Sequence, residues 1–204
     1  MEVEELIKLP VMEDYYTIQG EGFNSGQAAY FIRLGGCDVG CVWCDVKESW
    51  DASVHPSFSI DAIVNKTLQY TANTVVITGG EPLMYDLESL CEKFHEHAIQ
   101  TFIETSGAYP LSGAWDWICV SPKKFKAPLV EVLNKADELK VIVYNKSDFD
   151  WGVEHAKSVP ENCHLYFQPE WSRFKEIMPE IIEYVKKHPR WKISLQTHKF
   201  MDIP

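Results

Sequence analysis

Ala29-Tyr30-Phe31-Ile32-Arg33-Leu34 runs directly into Gly35-Gly36-Cys37-Asp38-Val39-Gly40-Cys41-Val42-Trp43-Cys44. The first six residues form a nearly continuous apolar run, the pattern of a strand buried on both faces of a parallel sheet. Two glycines stop the run, and three cysteines follow with C-x3-C-x2-C spacing. The same order, strand and then polar turn, recurs down the chain. Runs 74–78, 101–104, 117–120, 139–144, 164–167 and 192–195 lead into Gly79-Gly80-Glu81, Glu104-Thr105-Ser106-Gly107, Ser121-Pro122-Lys123, Asn145-Lys146, Gln168-Pro169-Glu170 and Gln196-Thr197-His198-Lys199.

Helical patterns separate several of these runs. Leu87, Leu90, Cys91, Phe94 and Ala98 recur at i, i+3, i+4, i+7 and i+11, one face of a helix. Phe174, Ile177, Met178, Ile181, Ile182 and Val185 do the same, with Pro179 interrupting that helix or marking its first turn. Ser59 and Asp61 offer caps for a third helix over 61–70. Alternating strands and helices predict an α/β fold with right-handed crossovers. A closed eight-unit barrel takes about 250 residues, so the 204 residues here predict a partial, open barrel of about six β/α units in a single domain, 1–204. In such folds the active site lies at the C-terminal edge of the strands, and the seven polar turns predict one shared site there.

Composition narrows the function. Lys and Arg number 19 against 30 Asp and Glu, a formal charge of −11. Phosphate backbones need a basic face, so no direct nucleic-acid binding is expected. No apolar run reaches the ~20 residues of a membrane span, and residues 1–9 lack a basic, apolar leader. A cytoplasmic protein without membrane association is expected, and there stable disulfides are rare. Of the six cysteines, Cys91 falls on a helix stripe, Cys119 inside a strand and Cys163 at a strand start. All three read as small hydrophobes.

Cys37, Cys41 and Cys44 are different. Structural zinc takes four ligands, and this spacing supplies three. Three thiolates in one loop suit a 4Fe–4S cluster, normally held by four cysteines, with one iron left for an outside ligand. Zinc completed by a remote ligand is the alternative on the same spacing.

The cysteine motif, with Trp43 in its aromatic slot, resembles the radical S-adenosylmethionine (SAM) superfamily, and Gly79-Gly80-Glu81-Pro82 matches that superfamily's GGEP motif. The resemblance implies a radical SAM barrel in which SAM chelates the open iron and is cleaved to a 5′-deoxyadenosyl radical. Glycine lets a backbone approach a ligand closely, and a carboxylate can accept from an ammonium. The resemblance narrows with Thr17-Ile18-Gln19-Gly20-Glu21-Gly22, Arg33, Glu104-Thr105-Ser106-Gly107, Ser121-Pro122-Lys123 and Gln196-Thr197-His198-Lys199. Together these resemble the 7-carboxy-7-deazaguanine synthase family.

That family's members contract the ring of 6-carboxy-5,6,7,8-tetrahydropterin to 7-carboxy-7-deazaguanine, release ammonia and regenerate SAM, in queuosine and 7-deazapurine biosynthesis. Carried over residue by residue, the resemblance implies Cys37, Cys41 and Cys44 as cluster ligands. It implies Trp43, Cys44, Asp45, Gly80, Glu81, Ser106, Ser121, Pro122, Lys123 and Gln168 as SAM contacts. Ile18, Gln19, Gly20, Arg33, Thr78 and Pro204 are the implied pterin contacts. Arg33 suits a carboxylate because guanidinium can grip it bidentately, and the α-carboxylate of Pro204 would accept from the pterin's guanidine-like edge. A homodimer and a redox carrier such as flavodoxin or ferredoxin are implied too.

One position departs from the pattern. Relatives place threonine after Cys-Asp, and its hydroxyl ligates Mg2+; here the run is Cys44-Asp45-Val46. Reduced Mg2+ dependence, or Mg2+ held by Asp45, is therefore expected, since Mg2+ keeps several waters anyway. Whether His198 or Lys199 moves protons is open at this level. Two other readings stand beside the synthase: an activase for a glycyl-radical enzyme, and a zinc-binding module without catalysis.

Overall fold

A computed structural model describes residues 7–204, so most of the expected leader-free stretch 1–9 lies outside the described residues. Strand β1 (Lys8–Ile18) pairs antiparallel with β2 (Ala28–Leu34), and β3 (Ser57–Ser59) pairs with the start of β1. Then follow α1 (Ile60–Thr67), β4 (Thr74–Gly79), α2 (Glu88–Glu96), β5 (Gln100–Thr105), β6 (Trp117–Val120), α3 (Val130–Leu133) and β7 (Glu138–Val143). The chain ends with α4 (Ser147–His155), β8 (His164–Pro169), α5 (Phe174–Lys187), β9 (Trp191–Ile193) and α6 (Thr197–Met201). The sheet order is β3-β1-β2-β4-β5-β6-β7-β8-β9, and β2 through β9 of the main sheet run parallel. Its two edge strands do not meet, so the barrel is open.

All seven expected strands form, and so do the three expected helices. Ser59 caps α1, its Oγ accepting from Ala62 N–H at 3.3 Å. Pro179 sits inside α5 as its sixth residue, beyond the first turn. Parallel strands β2, β4, β5, β6, β7 and β8 form the expected open barrel, β9 extends it as a seventh, and the β5–β6 connection, 106–116, contains no helix. The antiparallel β1 was not expected, because Lys8–Ile18 mixes charge and apolar residues without clean alternation.

Register explains how the sheet serves two environments. Side chains alternate faces along each strand. Tyr30, Ile32, Leu34, Val75, Ile77, Ile103, Leu139 and Val141 join the main core under the helices. Their neighbours Ala29, Phe31, Val76 and Phe102 form a smaller cluster on the opposite, concave face. Further along that face, Arg33 pairs with Thr78, Glu104 with Cys119, Cys119 with Glu138, and Ile142 with Gln168. The concave face thus turns from apolar to polar toward the C-terminal strand ends.

Candidate active site

A cavity of about 280 Å³ occupies the concave face and the C-terminal rim. Two glycines let its walls meet. A Cβ on Gly79, where φ is +150°, would lie 2.3 Å from the Leu34 carbonyl oxygen. One on Gly80 would lie 2.2 Å from the Gly36 carbonyl oxygen and 2.8 Å from Cys37 Cβ. Real Cβ atoms do not approach backbone so closely, so glycine is what allows the end of β4 to touch the cysteine loop. Glu81 N–H completes the junction by donating to the Gly36 carbonyl at 2.8 Å.

The cysteine loop is tied at several points. Asp38 accepts from Tyr109 Oη at 2.6 Å and from Lys126 Nζ at 2.8 Å. Tyr85 Oη donates to the Gly35 carbonyl at 2.7 Å. Cys41 is buried, Cys37 and Cys44 are half-buried, and all three line the cavity. Burial pushes the Cys41 thiol up to about 11 and the Cys37 thiol up as well. Such sulfurs become thiolates readily only beside a strong positive charge, which bound iron supplies. Among the described residues no three His, Cys, Asp or Glu side chains converge to hold a single ion. A 4Fe–4S cluster binds each cysteine at a separate iron, so this donor set fits a cluster. Cys91, Cys119 and Cys163 are buried, as expected, and do not line the cavity.

The structure brings together nearly every expected site residue. Trp43, Asp45, Val46, Gly80, Ser106, Ser121, Lys123 and Gln168 line the cavity with the cysteines, as do Ile18, Gln19, Gly20, Arg33, Thr78 and Pro204. Two expected SAM contacts stand back from the cavity surface. Pro122 does not line the cavity, and neither does Glu81. Both Glu81 oxygens are already engaged, by Leu83 N–H at 3.0 Å, Thr105 Oγ1 at 2.6 Å and Ser106 N–H at 2.8 Å. Its carboxylate braces the β4 and β5 turns. Asn145-Lys146 also leaves the shared rim: Asn145 Oδ1 accepts from Ser147 N–H at 3.0 Å, at the start of α4.

Sequence reasoning missed the centre of the site. Lys140 is buried on the concave face, with Nζ 2.6 Å from Glu21 Oε2 and 2.9 Å from Glu104 Oε2. Gln19 Nε2 donates to Glu104 Oε1 at 2.9 Å, and Gln196 Nε2 to Glu21 Oε1 at 2.9 Å. Burial opposes charge on both members of the Lys140–Glu21 pair, but mutual attraction wins. Glu21 is held down to about 2, and the two carboxylates hold Lys140 well above the usual lysine range. A lysine inside an otherwise apolar strand was the available signal.

Other members are poised differently. Arg33 Nε contacts Glu13 Oε1 at 2.6 Å while the residue lines the cavity, so the guanidinium is aimed by one carboxylate and faces the site. Burial lowers the Lys123 pKa, and its Nζ donates to the Ser121 carbonyl and Oγ at 2.6 Å. His198 packs on Gly20, where a Cβ would meet its Nδ1 at 2.2 Å, and burial lowers its pKa. Lys199 Nζ instead reaches Asp45 at 3.5 Å and lies outside the cavity lining.

Residues 31–144 match the Radical SAM superfamily. The 7-carboxy-7-deazaguanine synthase of Flavobacterium psychrophilum is 54% identical over 202 residues, covering 99% of this chain and 96% of that protein. The chain belongs to the 7-carboxy-7-deazaguanine synthase family. The Synechocystis member is 44% identical, over 97% of this chain and 94% of its own. A crystal structure of QueE from Escherichia coli superposes with a TM-score of 0.82 at 31% identity, covering 94% of this chain and 95% of that one. Family membership makes the chain a radical SAM enzyme with a 4Fe–4S cluster and SAM as cofactors. No helix among the described residues is long and apolar enough to cross a membrane.

Proposed function

We propose that the chain converts 6-carboxy-5,6,7,8-tetrahydropterin to 7-carboxy-7-deazaguanine with loss of ammonia. The observation that carries this reading is the meeting, in one cavity, of three cysteines, the Gly79–Gly80 strand end and a row of polar side chains on the concave face. Cys37, Cys41 and Cys44 hold the cluster. Trp43, Asp45, Gly80, Ser106, Ser121, Lys123 and Gln168 line the SAM side, with Glu81 bracing Ser106 from behind. When bound, the cluster and SAM supply reductive cleavage to a carbon radical that removes one hydrogen from the substrate.

The remaining work is positioning. A pterin offers a flat amide-and-guanidine edge and a carboxylate. Arg33 takes the carboxylate, aimed by Glu13. Thr78 stands beside it in register. Ile18, Gln19, Gly20 and Pro204 line the same cavity, and the carboxylates of Glu21 and Glu104 accept from the edge's N–H donors. Lys140 neutralises part of their charge, so the wall keeps a net negative charge suited to a donor-rich edge. His198, kept neutral by burial, can accept or pass a proton without carrying standing charge.

Val46 supplies no side-chain oxygen at the cavity wall, so Mg2+ falls to Asp45, which is mostly exposed and pairs with Lys199. The proposal extends to one cytoplasmic domain that pairs as a homodimer, takes electrons from a flavodoxin- or ferredoxin-type carrier and does not bind nucleic acid directly. Anaerobic incubation of the reconstituted protein with SAM, reductant and the carboxypterin should yield the deazapurine. Deoxyadenosine formed only when a partner protein is added would instead favour an activase.

A further inference from the structure

Residues 19–27 close the bottom of the open barrel. Gln19 and Gln27 bond across the loop base at 2.8 Å, and Gly26 N–H returns to the Gln19 carbonyl at 2.8 Å. The tip, Phe23, stacks on His164 at 4.1 Å and on Trp117 at 4.9 Å between ring centres. Those two residues begin β8 and β6, so the loop forms a floor at the N-terminal strand ends. The same loop carries Gln19 and Glu21 upward into the cavity.

Glu138, the first residue of β7, is 2% exposed. Its Oε2 accepts from Phe23 N–H at 3.0 Å, while its Oε1 is buried with no protein partner. Gly22, at φ +66°, passes so close that a Cβ there would sit 2.0 Å from Oε1. Beside it Ser194 Oγ accepts from Gly22 N–H at 2.9 Å. Glu138 also lines a second, small chamber of about 10 Å³, which Gln19, Glu21, Asn24, Glu104 and Cys119 share. A chamber of that size holds about one water, provided two to four polar groups face it.

We infer that Glu138 is a positioning residue that clamps the 19–27 floor and, with Gln19 and Asn24, binds one buried water beneath the substrate wall. The inference rests on the proposed reading of Gln19 and Glu21 as substrate contacts. One Glu138 oxygen accepts from Phe23 and the other is left for the water, a pattern a glutamine amide reproduces. Burial raises the Glu138 pKa, against the nearby Lys140.

The holoenzyme tests this with Glu138→Gln, Glu138→Leu and Ser194→Ala. Glu138→Leu should raise the KM for the carboxypterin at least tenfold, with SAM affinity unchanged. Glu138→Gln should restore KM to within threefold, and Ser194→Ala should raise it in the same direction as leucine. Amide hydrogen exchange should show the 19–27 segment protected in the wild type and in Glu138→Gln. An unchanged KM in Glu138→Leu, or equal losses of pterin and SAM affinity, would overturn the clamp. If Glu138→Leu does not fold, a Glu138→Gln KM as high as that of Ser194→Ala, or an unprotected wild-type loop, would overturn it. A high-resolution crystal structure with no water within hydrogen-bond distance of Glu138 Oε1 would overturn the water site. A wild type inactive on the pterin would instead sink the substrate reading while leaving loop protection and the water measurable.

Discussion

Lys140→Met removes the one cation between Glu21 and Glu104, contacts of 2.6 and 2.9 Å, while keeping side-chain length. Breaking a buried ion pair typically costs about 3–5 kcal/mol, because the partner charge stays buried alone. With a urea m-value of about 2 kcal/mol/M, the unfolding midpoint at pH 7 should fall by about 1.5–2.5 M. The pH dependence adds a sign test. In the wild type Glu21 is depressed from the ordinary 4.5 to about 2, so its contribution is present above about 4.5 and is lost as pH falls toward 2. Lys140, raised above the lysine range, contributes below that range and loses its effect only as pH rises beyond it. In Lys140→Met, burial of Glu21 outweighs the remaining hydrogen bond from Gln196 and raises its pKa, so stability should increase as pH falls from 7 toward 5. Lys140→Met/Glu21→Gln/Glu104→Gln replaces every charge by a neutral group of similar shape and should recover to within about 2 kcal/mol of wild type. Urea titrations by circular dichroism at pH 7 and pH 5 measure all of this. A loss below about 1 kcal/mol in the single variant, or no recovery in the triple, would refute the buried-triad account.

Other outcomes follow from the same geometry. Cys41→Ser should reduce bound iron after anaerobic reconstitution from about four per chain to well under one, read by iron analysis and visible absorbance. Gly80→Ala drives a Cβ into the Gly36 carbonyl and should cost about 1–3 kcal/mol, with cluster loading falling alongside stability in the same preparation. Arg33→Met should raise the KM for the carboxypterin far more than for an analogue lacking the carboxylate, since that group is what the guanidinium reads. Val46→Thr should increase the stimulation of turnover by added Mg2+, measured after chelation against the unsubstituted protein.

Much of this was legible in the sequence because the strands announce themselves twice, once by apolar runs and once by the polar turns that end them. β2, β4 and β8 were found this way, and their ends carry Cys37, Gly80 and Gln168. β1 was hidden because it is half-exposed and antiparallel, so neither continuous hydrophobicity nor alternation marks it. Lys140 and Glu138 were hidden for a subtler reason. They sit within or beside a run that looks buried on both faces, yet one face of β7 looks into a polar cavity. Only register shows that Glu138 and Cys119 share a row with Glu104. Glu81 shows the converse: a motif residue whose chemistry suits a ligand, but whose oxygens the fold has already used.

The central claim is best tested by counting product per SAM in the anaerobic holoenzyme, with carboxypterin in excess and SAM below the enzyme's own concentration. The account predicts many equivalents of 7-carboxy-7-deazaguanine and of ammonia for each SAM present. Deoxyadenosine accumulating one-for-one with SAM, with no deazapurine formed, would contradict it.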